Sequence, residues 1–446
     1  MTYSLKKYIN KTLNSKKADD IFSDPRKVLG VVLFVYYFAH KPVLSVLSRV
    51  IQFGGLPHSL LSILYSVGFV GLVLWLLSFP KPENENYLDV FWLYSFIVLF
   101  FLLTWILRPE LRYFYERETF GVLDSVFMFR RGIYAYLVIR LLSDGTQLDF
   151  ALKTLAILNV ILFTLQFIKA NIQGYWLIVS PTGNLMKAPY QLGFGYDVLL
   201  ISMIFLWWGF YKKGPWLIKL LFFWSAIIIA RGGSRGALLF LIFSVLLLIA
   251  ISLIQQKKFK TLFIVVISGA ILAVLGFVIL KYLAGTILPA LNQSRTLKLI
   301  LSGEFLYDNG RIRIWTTVFN KMRDNYYLPG GPFSERPVVA PINIAGYSHN
   351  VFVEILIDFG LFFGIIIIIA LAYFSLKMFI KCKNEEILGA FFVFFVSSMA
   401  LLTSLTFWNY PPFWACLGLI VNGYKQNVLA VTPKFKKRLK RIKQET

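Results

Sequence analysis

Along most of the chain, apolar residues run for the length of a membrane-crossing helix before a short polar break interrupts them. Such runs cover about residues 28–51, 59–79, 88–107, 121–142, 149–169, 196–211, 216–230, 235–254, 261–283, 350–377, 387–407 and 411–424. Roughly 18 apolar residues, rising about 1.5 Å each, cross a hydrocarbon core of about 30 Å. The pattern predicts an all-α polytopic integral membrane protein with about 12 transmembrane helices. Two runs carry flaws. The first holds His40, Lys41 and Pro42, which predicts a kink. The fourth, FGVLDSVFMFRRGIYAYLVIR, is polar enough to make a poor span.

One long stretch breaks the rhythm. Residues 284–349 are too many for a simple connector and predict a large loop with structure of its own. PALNQSRTLKLILSG reads as one short helix and DNGRIRIWTTVFNKMRDN as a second. In the second, Trp315, Val318 and Met322 recur at i, i+3 and i+7 to form an apolar stripe headed by Arg311. LPGGPFSERP then interrupts the chain before GYSHN leads back into the membrane. The organisation expected is an N-terminal segment 1–27, nine helices over 28–283, the loop 284–349, three helices over 350–424 and a basic tail 425–446.

Composition agrees with burial in lipid: 58% of the 446 residues are hydrophobic, against about 45–50% in soluble chains. The formal charge of +24 would suit a nucleic-acid binder, but its distribution does not. Lysine crowds the N-terminus, YKKG (211–214), QQKKFK (255–260), KMFIKCK (377–383) and the tail PKFKKRLKRIK, the short basic flanks that positive-inside insertion produces. Twelve spans place both termini on one side, and the lysine clusters make that side cytoplasmic. The opposite cations are mostly arginine: Arg108, Arg112, Arg117, Arg231, Arg235, Arg295, Arg311, Arg313, Arg323 and Arg336. A planar guanidinium suits phosphate and carboxylate oxygens. The basic tail is expected to touch anionic lipid. Cys382 and Cys416 predict neither a disulfide nor a metal site.

The chemistry concentrates in GYSHNVFVEILIDFG, residues 346–360. His349 stands where the long loop meets the membrane, and its imidazole can take a proton from a hydroxyl near neutral pH. Ser348 is placed to cap the following helix. Asn350, Glu354 and Asp358 recur at i, i+4 and i+8 on one helix face. A carboxylate as deep as Asp358 needs a partner, for which Arg130 and Arg131 are the candidates; a buried structural ion pair and an acid–base role for Glu354 both remain open. In the RGGSRG turn (231–236), glycines free backbone N–H groups while Arg231 and Arg235 flank a helix start that favours anions. GGSRG also fits the nucleophile-elbow pattern, but helices on both sides argue against Ser234 as a nucleophile. There is no DxD pair, phosphate loop or HExxH, and only three histidines, so neither ATP nor a metal is expected.

SRGALLFLIFS (234–244), DNGRIRIW (308–315) and SHNVFVEILIDFG (348–360) occur in the order and span context of the O-antigen ligase and polymerase superfamily. The chain resembles that family over about residues 190–410. The resemblance implies a GT-C-like fold in a bacterial cytoplasmic membrane, and a glycosyltransferase needing no cofactor. It would move a glycan from an undecaprenyl diphosphate carrier to an acceptor hydroxyl on the outer face. It assigns diphosphate binding to Arg235 and Arg311, with Arg231 as companion, and the role of catalytic base to His349. Trp315 and Gly310 would shape the Arg311 helix, with Asn350, Glu354 and Asp358 in support. A repeat-unit polymerase inverting the anomeric carbon is the first expectation, with a flippase and a chain-length regulator as partners. A glycan ligase is the alternative within the class. A lipid-linked glycan flippase, an acyltransferase using His349 and a serine hydrolase using Ser234 are the alternatives outside it.

Overall fold

The computed structural model describes residues 15–52, 58–80, 86–142, 144–179, 185–188, 191–232, 234–258, scattered positions within 260–278, 310–323, 328–343 and 346–425. The first short helix predicted in the long loop, most of the 261–283 span and the basic tail lie outside these residues.

The architecture is helical. In chain order the main helices are α1 (Ser15–Phe22), α2 (Pro25–Phe38), α3 (His40–Gln52), α4 (His58–Ser78), α5 (Leu88–Leu107), α6 (Ile133–Leu141), α7 (Gly145–Gln173) and α8 (Leu192–Leu206). They continue with α9 (Trp216–Arg231), α10 (Arg235–Gln255), α11 (Arg311–Met322), α12 (Arg336–Val339), α13 (Val351–Lys381), α14 (Glu385–Ser398) and α15 (Pro411–Lys425). A small antiparallel hairpin, β1 (Trp176–Val179) with β2 (Leu185–Ala188), joins α7 to α8.

Among the described residues, seven helices are long and apolar enough to cross a membrane, or eight if the bent pair Pro25–Phe38 and His40–Leu47 counts as one span. The expected kink is real: these two helices meet at 67°, where His40 Nδ1–H donates to the Tyr37 carbonyl at 2.7 Å. Three other expected spans differ from the apolar pattern. α9 and α15 have 16 and 15 residues. The 121–142 stretch is not one helix but a π-helical turn (Leu123–Phe127), a break and the nine-residue α6. Its break follows from its polarity, because Arg131 turns back to Asp124, donating from Nη2 to Oδ1 at 2.5 Å.

α8 is the enclosed axis of the bundle. In the span Gly193–Tyr211, 83% of the apolar window is buried, against 17% in α4 and in α5. Those two helices are apolar all round and expose Leu64, Leu74, Trp75, Phe91 and Trp92, a surface suited to lipid and not to water. The core packs α8 against α9, α10, α14 and α7, and α15 against α6 and α14. α13 is discontinuous. Gly360 adopts φ 75°, ψ 163°, a conformation open essentially to glycine alone.

Candidate functional site

The break at Gly360 strips the carbonyls of Ile357 and Asp358 of their helical donors, and the preceding loop supplies others. Gly330 N–H donates to Ile357 O at 3.1 Å and Gly331 N–H to Asp358 O at 3.0 Å. Such irregular backbone persists inside a membrane protein where other protein groups satisfy it. The 328–343 loop is thereby clamped beside α13.

On its other side, α11 docks by the predicted stripe. Val318 and Met322, joined by Ile314, pack against Val339, Val353 and Ile357, with Trp315 at the margin. Trp315 Nε1–H donates to Ser348 O at 3.0 Å. This bond ties the helix headed by Arg311 to the residue before His349.

His349 is half-buried at a left-handed φ of 57°, a conformation in which histidine is enriched. Asn343 Nδ2 lies 2.8 Å from its Nε2. Tyr347 packs edge-on against the imidazole, ring centres 4.4 Å apart. Burial first and the Arg311 guanidinium second pull the imidazole down to about 4. Arg311 is thus within electrostatic reach of the ring. Neither Asn343 nor Tyr347 stood out in the sequence, although Tyr347 sits in the GYSHN motif itself.

Asn350, not Ser348, caps α13: its Oδ1 accepts from the N–H groups of Phe352 (2.9 Å) and Val353 (3.3 Å). Ser348 Oγ instead donates to Asn350 O at 3.1 Å. The Asn350 amide also donates to Leu402 O at 3.4 Å. The next residue, Thr403, meets the Tyr196 hydroxyl at 3.1 Å, and these two groups occupy the space where a side chain at Gly236 would lie. Arg235, the first residue of α10, therefore sits at the same end of the bundle as His349, linked through the turn around 399–403. Arg231 ends α9 beside it and is exposed. Ser234 is a buried N-cap accepting from Ala237 N–H at 3.4 Å, with helices before and after it. The nucleophile-elbow geometry is absent there.

Asp358 does not pair with Arg130 or Arg131. Arg131 serves Asp124, while Arg130 donates to Ser62 Oγ at 3.1 Å and lies 3.8 Å from Asp124. Asp358 is fully buried and accepts from Trp408 Nε1–H at 2.9 Å and Ser334 Oγ–H at 3.4 Å. Glu354, equally buried, accepts from the Thr406 hydroxyl and from Phe407 N–H at 3.2 Å. The nearby cation is Arg336, buried over the Phe333 ring (3.4 Å to its centre) and donating to Phe120 O. Apart from Ser334, the partners of both acids come from a segment about 50 residues downstream, which no local spacing announces.

Apolar helices facing lipid, with a histidine and arginines gathered at one end, define a polytopic membrane protein with a candidate active site at a bundle end. Residues 220–369 match the family model described as O-antigen ligase. That match covers about a third of the chain and includes Arg231, Arg235, Arg311, Trp315, His349, Asn350, Glu354 and Asp358. Over that stretch the chain is similar to the O-antigen ligase family, and the match supports the superfamily of such ligases and polymerases. No curated protein and no solved structure matches it.

Proposed function

We propose that the protein is a membrane glycosyltransferase that polymerises undecaprenyl-diphosphate-linked repeat units into a surface polysaccharide on the outer face of the cytoplasmic membrane. The observation that carries this reading is the Trp315–Ser348 hydrogen bond, which brings the Arg311 helix and His349 together. His349 removes the proton of the acceptor hydroxyl as that oxygen attacks the anomeric carbon. The carbon–oxygen bond to the diphosphate breaks, and Arg311, with Arg235 and Arg231, compensates the charge gathering on the leaving group. Asn343 holds Nε2, which leaves Nδ1 facing the acceptor; turning the amide over exchanges its nitrogen for oxygen, so that Nε2–H donates and Nδ1 keeps its lone pair. One displacement inverts the anomeric centre and needs neither a covalent nucleophile nor a metal.

The test is to delete the protein, complement with wild type or His349→Ala, and resolve the surface glycan on a gel. A polymerase predicts single capped repeats in the deletion and in His349→Ala. The description of the matching family favours a ligase instead, which would leave full-length chains on the lipid carrier. The break in α13 beside buried charges favours a third reading, a lipid-linked glycan flippase. Reconstituted vesicles that translocate donor without extending it would establish that reading and end the first.

A further inference from the structure

The 67° bend between α2 and α3 turns the apolar residues Val43, Leu44 and Leu47 over a cavity of about 530 Å³, within the range of about 300–1,000 Å³ usual for ligand sites. α2, α4 and α7 complete its walls with Val35, Leu64 and Leu158. Its polar side chains among the described residues are Tyr36, Tyr65 and Thr154, and each is turned to a backbone carbonyl. The Tyr36 hydroxyl donates to Tyr65 O at 2.9 Å, the Tyr65 hydroxyl to Tyr36 O, and Thr154 to Phe150 O at 2.9 Å. A wall that offers no donor or acceptor suits hydrocarbon and not water. Left unfilled, it forfeits dispersion contacts. Leu47 and Leu64 are exposed, so a chain can enter sideways from the bilayer.

Beside this wall stands a cation with an incomplete counter-charge. Arg130 donates from Nη1 to Ser62 Oγ at 3.1 Å, next to Leu61 of the cavity wall. Its buried Nε–H has no acceptor among the described residues. Asp124 lies 3.8 Å from Arg130 but 2.5 Å from Arg131, so one carboxylate serves two guanidiniums. Contacts continue from here to the His349 segment. Asp124 Oδ2 accepts from Phe120 N–H at 3.1 Å, Phe120 O accepts from Arg336, and the Arg336 side chain lies against Gly346 of GYSHN. At the bend itself, Lys41 Nζ meets Asp197 Oδ1 at 2.7 Å, beside Tyr196, which reaches Thr403 over Gly236. The cavity therefore adjoins the end of the bundle that carries His349 and Arg235.

We propose that the cavity under α3 holds the first isoprenoid units of the donor's carrier lipid, and that Arg130 binds the phosphate to which that chain is attached. The inference rests on the reading of the protein as a user of a polyprenyl diphosphate donor. A single apolar tail that ends in two phosphates matches the order of groups: a hydrocarbon wall, then a surplus guanidinium held by Ser62, then the arginines and His349. A glycerophospholipid carries two chains on one phosphate and has nothing to extend toward His349.

The test measures binding of radiolabelled undecaprenyl diphosphate, and of inorganic diphosphate as a probe without a tail, to the full chain in phosphatidylcholine nanodiscs. Leu64→Trp, which fills the cavity from its exposed wall, should weaken the lipid about tenfold and leave inorganic diphosphate unchanged. Arg130→Gln should weaken both about tenfold or more. Unchanged lipid binding in Leu64→Trp would overturn the proposal. So would competition by phosphatidylglycerol as strong as that by unlabelled undecaprenyl diphosphate, which would assign the cavity to bulk phospholipid. If the tryptophan variant does not fold, undecaprenyl diphosphate with a benzophenone in its tail tests the wild type. Crosslinks should fall within 31–47, 61–65 or 154–158, and crosslinks confined to other segments would overturn the proposal. Lipid bound at the cavity of a protein that transfers no glycan would refute the enzyme reading and leave the site intact. Glycan transfer by Leu64→Trp with an unaltered KM for the lipid-linked donor would do the reverse.

Discussion

At His349 two effects act on one proton. Burial and the Arg311 guanidinium both disfavour the imidazolium, so the ring is neutral at every pH well above about 4. A general base must be unprotonated, and kcat/KM should therefore hold on the acid side past the ordinary histidine value of about 6.5. It should fall only as pH drops through about 4. Removing the charge with Arg311→Gln takes away the second cause and should move that limb upward, in whatever activity survives. A limb fixed near 6.5 in both forms would separate Arg311 from the imidazole. The two residues should also differ in how they fail. His349→Ala should cost roughly 10²–10⁴-fold in kcat. Arg311→Ala should cost at least as much, because leaving-group charge is compensated most strongly where water is excluded. Arg311→Lys should recover only part, since a point charge cannot reproduce the planar fork.

Two elements set the geometry in which those residues meet. α11 is held by its apolar stripe and by the indole of Trp315. Trp315→Phe keeps the stripe and removes one hydrogen bond, worth about 1 kcal/mol. The expected outcome is a small change in melting temperature and a larger loss of kcat, because Ser348 O precedes the base by one residue; an unchanged kcat would show that the bond is structural only. α13 depends on Gly360. An alanine there meets a backbone conformation that costs about 1–3 kcal/mol, and straightening the helix would reclaim the carbonyls that Gly330 and Gly331 now hold. Gly360→Ala should lower stability and activity together. These elements also mark what could be read from the sequence alone. The stripe of α11 is periodic and local, so spacing revealed it, and the histidine stood out by rarity among apolar residues. The partners of Glu354 and Asp358 were hidden because 404–408 reaches them through the fold. The polarity of the 121–142 run marks it as a poor span, but spacing alone gives no sign that Arg131 folds back on Asp124.

At the scale of the whole molecule, the bundle has two chemically distinct ends. At one, Lys212 joins α14 through Glu385 at 2.6 Å and Glu386 at 3.8 Å, bringing the YKKG turn beside KCKNEE. Gly145, at the start of α7, packs there against Asn384. At the other end lie the RGGSRG turn, the 399–403 turn and His349, connected by Tyr196, Thr403 and Asn350. Lys212 thus lies at one end, while Arg231, Arg235, Arg311 and His349 lie at the other. Lysine-flanked ends stay in the cytoplasm during insertion, and the proposed function requires the end with Arg235 and His349 to face the outer leaflet. The orientation is open to direct measurement in cells expressing the chain with Cys382→Ser and Cys416→Ser. A cysteine placed at the exposed Arg231 should react with a membrane-impermeant maleimide in intact spheroplasts. One placed at Lys213 should react only after the membrane is opened. The reverse pattern would put His349 and its arginines on the cytoplasmic side, where they could not serve a donor in the outer leaflet, and outer-face glycan transfer would have to be abandoned even if every substitution at His349 proved inactive.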